Sequence, residues 1–269
     1  MRNITLPQIQ QLQLEILKNF HNYCQENGLK YALYAGTLLG AVRHKGYIPW
    51  DDDIDIMMPR GDYEKLYELI KTKPLPAPLE LHSVRNDKHH NAPFFKVCDA
   101  RTDGTVTYLR SDIRCPVWID IFPLDGIPDN EAERNKHLQT LWDIQKEMEY
   151  IVRPLRFSAN PLRLAKRLYI WARYHKKDYQ SMADNMDKLA QKYNYNTGAN
   201  VAVAVFDGKK RIFKQNCMDN VVLADFEDTK FYIPADYDDF LFRMYGDYMT
   251  PPPKEQQVSH HCYTAFWKE

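Results

Sequence analysis

Residues 51–56 read Asp-Asp-Asp-Ile-Asp-Ile, and no other stretch of the 269-residue chain restricts its fold as tightly. On an extended strand, side chains two positions apart point to the same face. Asp51, Asp53 and Asp55 then share one face, while Ile54 and Ile56 turn into a core. Three carboxylates on one face repel one another unless a cation neutralises them. A donor set made only of oxygens suits Mg²⁺ or Mn²⁺ and not zinc. The competing reading is an acidic surface loop that binds nothing. The alternation predicts a strand over 53–58, stopped by Pro59.

The flanking residues bear on that choice. Residues 30–35, KYALYA, read as a short strand, and Thr37 as the cap of a short helix closed by Gly46. Gly36 and Thr37 thus lie between a strand and a helix start, where free N–H groups and the positive end of a helix dipole can meet a phosphate. Arg43, about two turns on, can add a charge-assisted contact. The plainer alternative is a turn with a capping threonine. Further on, Asp120 sits between Ile119 and Ile121 in CPVWIDIFPLDGIP, residues 115–128. An acid in so apolar a run needs a partner if it is buried, and a metal held by Asp53 and Asp55 would be one. A solvent-facing acid at a strand edge is the alternative. Asp125, before Gly126, reads as a turn residue.

Along the rest of the chain, residues 5–28 read as an amphipathic helix capped by Thr5 and ended by Gly28. A helix over 62–72 and β-like runs at 79–84, 94–98, 105–109 and 117–122 follow. Helical patterns dominate 131–194, and a strand near 201–206 precedes an irregular proline-rich tail. Lys and Arg balance Asp and Glu at 36 each, so no global field recruits nucleic acid. The five scattered cysteines read as reduced thiols in the cytosol. The N-terminus lacks a signal-peptide layout, and no apolar stretch approaches the length of a membrane span. The expectation is a cytoplasmic protein.

GTLLGAVRHKGYIPWDDDIDI and WIDIFPLDGIP together resemble the signatures of the LicD family, phosphocholine transferases related to the fukutin-type ribitol-phosphate transferases. YGDYMTPPPKEQQVSHH, residues 245–261, resembles the family's C-terminal signature. The resemblance implies an α/β, nucleotidyltransferase (polymerase-beta-like) fold with a mixed sheet and additional helices. It implies a catalytic core over 1–130 and a mostly helical region, 131–269, whose C-terminal motif completes the same domain. The superfamily's glycine turn falls on Gly36 and Thr37, its Asp-x-Asp pair on Asp53 and Asp55, and its later acid on Asp120. Asp51 resembles a further acid of the fukutin-type metal site. Lys96, in FFKVCDARTD, resembles a family lysine, with phosphate contact or an ordinary strand position as its roles. The implied reaction is in-line transfer of phosphocholine, or a similar phosphoryl-linked group, from CDP-choline or another CDP-linked donor to a glycan hydroxyl, with Mg²⁺ (or Mn²⁺). Nucleotidyl transfer from a nucleoside triphosphate, and a nucleotide-binding module without activity, are the alternatives. His260, His261 and Cys262 lack the second ligand pair of a structural zinc site. The family tail carries histidine there, in reach of an acceptor cleft.

One stretch falls outside these motifs. Between Tyr150 and Lys177 there is no acid, while Arg153, Arg156, Arg163, Lys166, Arg167, Arg173, Lys176 and Lys177 accumulate. Asn160 can cap a helix beginning at Pro161, with Leu164, Leu168 and Trp171 on one face. A basic amphipathic helix can lie on an anionic membrane surface or hold an anionic, lipid-linked glycan. It can equally be a packing helix with a solvated face.

Overall fold

The computed structural model describes residues 2–206, 211–258 and 263–268. The chain opens with strand β1 (Asn3–Ile4) and helix α1 (Leu6–Asn27). The Thr5 N–H at the cap of α1 donates to the Gln8 side chain at 2.9 Å. Gly28 ends the helix with φ 57°, a left-handed conformation that suits glycine. Ile9, Leu12, Ile16, Phe20 and Tyr23 are all buried, as their helical spacing requires. There follow β2 (Ala32–Leu33), α2 (Ala35–Arg43), β3 (Asp55–Pro59) and α3 (Arg60–Leu69). Next come β4 (Leu79–His82), β5 (Phe95–Asp99), β6 (Thr102–Val106) and β7 (Trp118–Ile127). Three helices succeed them: α4 (Glu131–Val152), α5 (Pro161–Tyr174) and α6 (Tyr179–Ala190). The chain closes with β8 (Asn200–Ala202), β9 (Ile212–Lys214), β10 (Val221–Phe226), β11 (Thr229–Pro234), α7 (Tyr237–Tyr245) and β12 (Tyr263–Trp267).

Strand β7 organises the main sheet. All ten of its residues are buried. The strands run β2-β3-β7-β5-β4, with β8 against the last residues of β7 and β9 beyond it. β3 and β7 are parallel and the other neighbours antiparallel, so the sheet is mixed. A strand covered on both faces reads as a continuous apolar run. Asp120 and Asp125 are therefore the two exceptional residues of β7. A second sheet, β1-β12-β6, joins the two ends of the chain.

Several expectations change. β3 starts at Asp55, so Asp51 and Asp53 precede the strand. Their segment is held by α1 instead of by a neighbouring strand: Gln10 and Gln13 donate their side-chain amides to the Asp51 and Asp52 carbonyls at 2.8 and 2.9 Å. Thr37 lies inside the first turn of α2 and Tyr34 takes the cap position. The strand expected at 105–109 runs over 102–106. The tail is not irregular: β10 and β11 form a hairpin, α7 follows, and β12 pairs with both β1 and β6. His260, His261 and Cys262 lie outside the described residues. Among the described residues, no helix is long and apolar enough to cross a membrane.

Asp125 is not a turn residue. It sits within β7, 1% exposed. Arg60 grips both its oxygens, through Nε at 2.6 Å and Nη2 at 2.9 Å. The Arg60 Nη1 donates to Asp187 and Glu64, and Arg85 pairs with the same two acids. One network thus ties β7, α3 and α6 together. Arg60→Ala strands the Asp125 carboxylate in the core, and breaking a buried pair this way costs about 3–5 kcal/mol. Urea unfolding should show a loss of that size, and a loss under about 1 kcal/mol would contradict the role given to the pair.

Candidate active site

The strand register assembles the centre. Asp55 on β3 lies opposite Asp120 on β7, and Asp120 lies opposite Lys96 on β5. Lys96, Asp120 and Asp55 thus form one row across three adjacent strands. The Lys96 ammonium donates to Asp120 Oδ1 at 2.6 Å. It is a partner of the kind a buried acid in β7 requires, where the sequence had offered a metal held by Asp53 and Asp55 or a solvent-facing strand edge.

Asp55 is fixed through its backbone. Its N–H donates to the Thr37 hydroxyl oxygen at 2.8 Å, and its carbonyl accepts from the Tyr34 N–H at 2.9 Å. The Asp120 N–H donates to the Ile54 carbonyl at 2.8 Å. Thr37 is buried and serves as a clamp between α2 and β3. Gly36 has a separate reason: a Cβ there would meet Asp51 Oδ2 at 2.7 Å. The Asp51 carboxylate therefore packs against the first turn of α2, where the helix dipole favours negative charge.

The acids crowd one another. Asp51, Asp52 and Asp53 each bring a carboxylate oxygen within 4.8 Å of the other two. Asp55 borders the cavity yet is otherwise enclosed by protein. Its carboxyl is pushed well above the usual range, first by burial, then by Asp53, Asp120 and Asp51, while Arg211 opposes the shift. So many carboxylates, with oxygen donors only, fit a hard divalent cation. Asp52, Arg211 and Gln13 were missed in the sequence. The signals for them were a third acid in the run, a basic cluster near 209–211, and a glutamine on the apolar face of α1.

Asp53, Asp55, Lys96 and Asp120 line a cavity of about 310 Å³. Arg43 does not: at the end of α2, its Nη1 donates to the Tyr248 carbonyl at 2.6 Å. That bond brings the C-terminal motif back to the helix. The Tyr245 hydroxyl is raised first by burial and then by Asp55 and Asp51, while Arg211 opposes the shift. Trp50 packs at the margin of the core.

The profile of the family described as LicD/FKTN/FKRP, nucleotidyltransferase domain, matches residues 28–156, the stretch that contains every acid of this centre. The chain is also 30% identical to the lipopolysaccharide cholinephosphotransferase LicD of Haemophilus influenzae over 99% of both chains. The chain belongs to the LicD family. It is a transferase of the LicD type. Shorter similarities reach two uncharacterised rickettsial proteins. RP689 of Rickettsia prowazekii is 43% identical over 21% of each chain, and RT0683 of Rickettsia typhi is 31% identical over 44% of this chain and 35% of its own.

In this LicD protein the Thr37 hydroxyl holds the strand that carries Asp55. Thr37→Val should leave the Asp55 N–H without its acceptor, costing about 1–3 kcal/mol. Thr37→Ser should restore the bond and most of that stability. Denaturant titration of the three proteins checks this, and equal stability of the valine and serine variants would remove the clamp.

Proposed function

We propose that this protein has a nucleotidyltransferase-type fold and transfers phosphocholine from CDP-choline, or a similar CDP-linked donor, to a hydroxyl of a cell-surface glycan. One observation carries the reading: the Lys96–Asp120–Asp55 row, with Asp53, borders a single cavity. Similarity along the whole chain to a lipopolysaccharide cholinephosphotransferase supports it.

Asp51, Asp53, Asp55 and Asp120 would hold Mg²⁺ or Mn²⁺, which supplies neutralisation of the donor diphosphate when bound. Lys96 offsets phosphate charge, while Gly36 leaves room for the Asp51 carboxylate beside the first turn of α2. Asp120 Oδ1 accepts from Lys96, and Oδ2 takes the proton of the acceptor hydroxyl. The acceptor oxygen forms a bond to the choline-bearing phosphorus, the bond from that phosphorus to the bridging oxygen breaks, and CMP leaves. Such a transfer depends on positioning and charge and not on a covalent enzyme intermediate. Arg43 anchors the C-terminal motif through Tyr248.

Incubation with CDP-choline, Mg²⁺ and an acceptor glycan should release CMP in step with choline phosphate appearing on the glycan. Pyrophosphate released from CTP, with CDP-choline untouched, would favour nucleotidyl transfer instead. Asp55→Asn removes a charge with little change of shape. It should lower kcat by about 10³-fold, since the ion's charge stabilisation is worth several kcal/mol. It should also raise thermal stability without the ion, because the repulsion from Asp53, Asp120 and Asp51 falls. Near wild-type turnover would overturn the assignment.

The basic helix completes the reading. Asn160 caps α5, accepting from the Arg163 N–H at 3.1 Å, and no residue of the helix is buried. Phe157 and Leu162 are each 81% exposed. A groove of about 280 Å³ is lined by Arg156, Arg167 and Trp171 and shares Tyr108 and Arg153 with the acidic cavity. The protein works at the inner face of the membrane, where α5 rests on anionic lipid and the groove receives a lipid-linked acceptor. Each basic residue at such a surface contributes about 1 kcal/mol. At low salt the protein should float with anionic liposomes and not with neutral ones, and high salt should release it. Failure to float with anionic liposomes at low salt would leave α5 without this role.

A further inference from the structure

The cavity beside the Lys96–Asp120 pair has walls that the phosphate chemistry does not use. Phe94, Tyr108, Trp118, Phe122 and Phe206 all line it. Phe94, Phe122 and Phe206 form one cluster, with ring centroids 4.4 Å apart for Phe94 and Phe122, 5.1 Å for Phe122 and Phe206, and 5.8 Å for Phe94 and Phe206. Tyr108 and Phe206 keep 41% and 39% of their surface exposed, whereas Phe94, Trp118 and Phe122 are buried. The same walls carry four carboxylates, Asp53, Asp55, Asp120 and Glu149, against two cations, Lys96 and Arg153. One cation already lies on an aromatic face here: the Lys96 ammonium is 4.1 Å from the centre of the Trp118 ring.

Ring faces gathered in one cavity have a specific chemical complement. A quaternary ammonium cannot donate a hydrogen bond, so it gains little from isolated polar acceptors. It is stabilised by the negative faces of aromatic rings and by nearby anions. A nucleobase could stack on the same rings, and the affinity for CDP itself separates the two occupants.

We propose that this cavity seats the trimethylammonium group of the donor, with the exposed rings of Tyr108 and Phe206 as its specificity-determining surfaces. The inference rests on the choline-donor reading above. It adds the residues that distinguish choline from other groups carried on the same diphosphate. A primary ammonium is smaller and more strongly hydrated, and it gives up more on entering such a box.

Calorimetric titration with CDP, CDP-choline and CDP-ethanolamine, in the presence of Mg²⁺, tests the assignment without relying on turnover. The wild type should bind CDP-choline at least about tenfold more tightly than CDP-ethanolamine, a preference within reach of desolvated ring contacts. Tyr108→Leu and Phe206→Leu should each reduce that preference to about threefold or less while leaving CDP affinity unchanged. Tyr108→Phe should preserve it, because the ring face remains. Circular dichroism and unfolding midpoints confirm that the variants are folded. A wild type without the preference, or leucine variants that retain it, would overturn the proposal. So would an equal weakening of CDP and CDP-choline in those variants, which would put the base in the cavity. The transfer assay on the same wild-type protein keeps the two readings apart. Transfer without the binding preference removes the choline box alone, and the preference without transfer removes the reaction alone.

Discussion

The structure depends on keeping negative charge crowded around Asp55. Two carboxylates at 4 Å repel by about 4 kcal/mol at the effective dielectric of a protein surface. Asp53, Asp120 and Asp51 all act on Asp55 in this sense. The fold opposes that repulsion by gripping the backbone. Thr37 and Tyr34 take the N–H and carbonyl of Asp55, Ile54 accepts from Asp120, and Gln10 and Gln13 hold the carbonyls before the strand. Lys96 partly offsets Asp120, and the first turn of α2 receives Asp51. A centre built this way holds its carboxylates together through the backbone that carries them.

The same economy explains the position of β7. It carries one acid to each end of the core. Asp120 meets Lys96 at the cavity, and Asp125 meets Arg60 in the network that locks α3 and α6 onto the sheet. The first acid therefore borders the cavity and the second lies in the core, although both sit in one apolar run. From this frame the aromatic cavity opens beside the acids, and the groove towards α5 begins at Tyr108 and Arg153. Donor and acceptor would approach the phosphorus from adjoining spaces.

Much of this was legible in the sequence. Alternation of Asp with Ile placed Asp55 and Ile56 on opposite faces, and the apolar run around Asp120 marked it as an acid that needs a partner. Both signals are local and follow from strand geometry. What escaped was long-range. Asp125 before glycine has the local chemistry of a turn, and only Arg60, far back in the chain, makes it a core residue. Thr37 has the local chemistry of a cap, but the N–H of Asp55 claims its hydroxyl. Strand periodicity alone extended β3 back to Asp53, because nothing nearby shows that Gln10 and Gln13 take the carbonyls. The β10–β11 hairpin did have a signal, two strand-like runs around Glu227-Asp228.

The central claim is that these carboxylates form one divalent-cation site. Electron paramagnetic resonance of Mn²⁺ during titration into the protein reads that claim directly, since bound and free ion differ in signal. The account predicts saturable binding in the wild type that strengthens when CDP-choline is added and is lost in Asp120→Asn and Asp53→Asn alike. Mn²⁺ binding unchanged in both variants would contradict it.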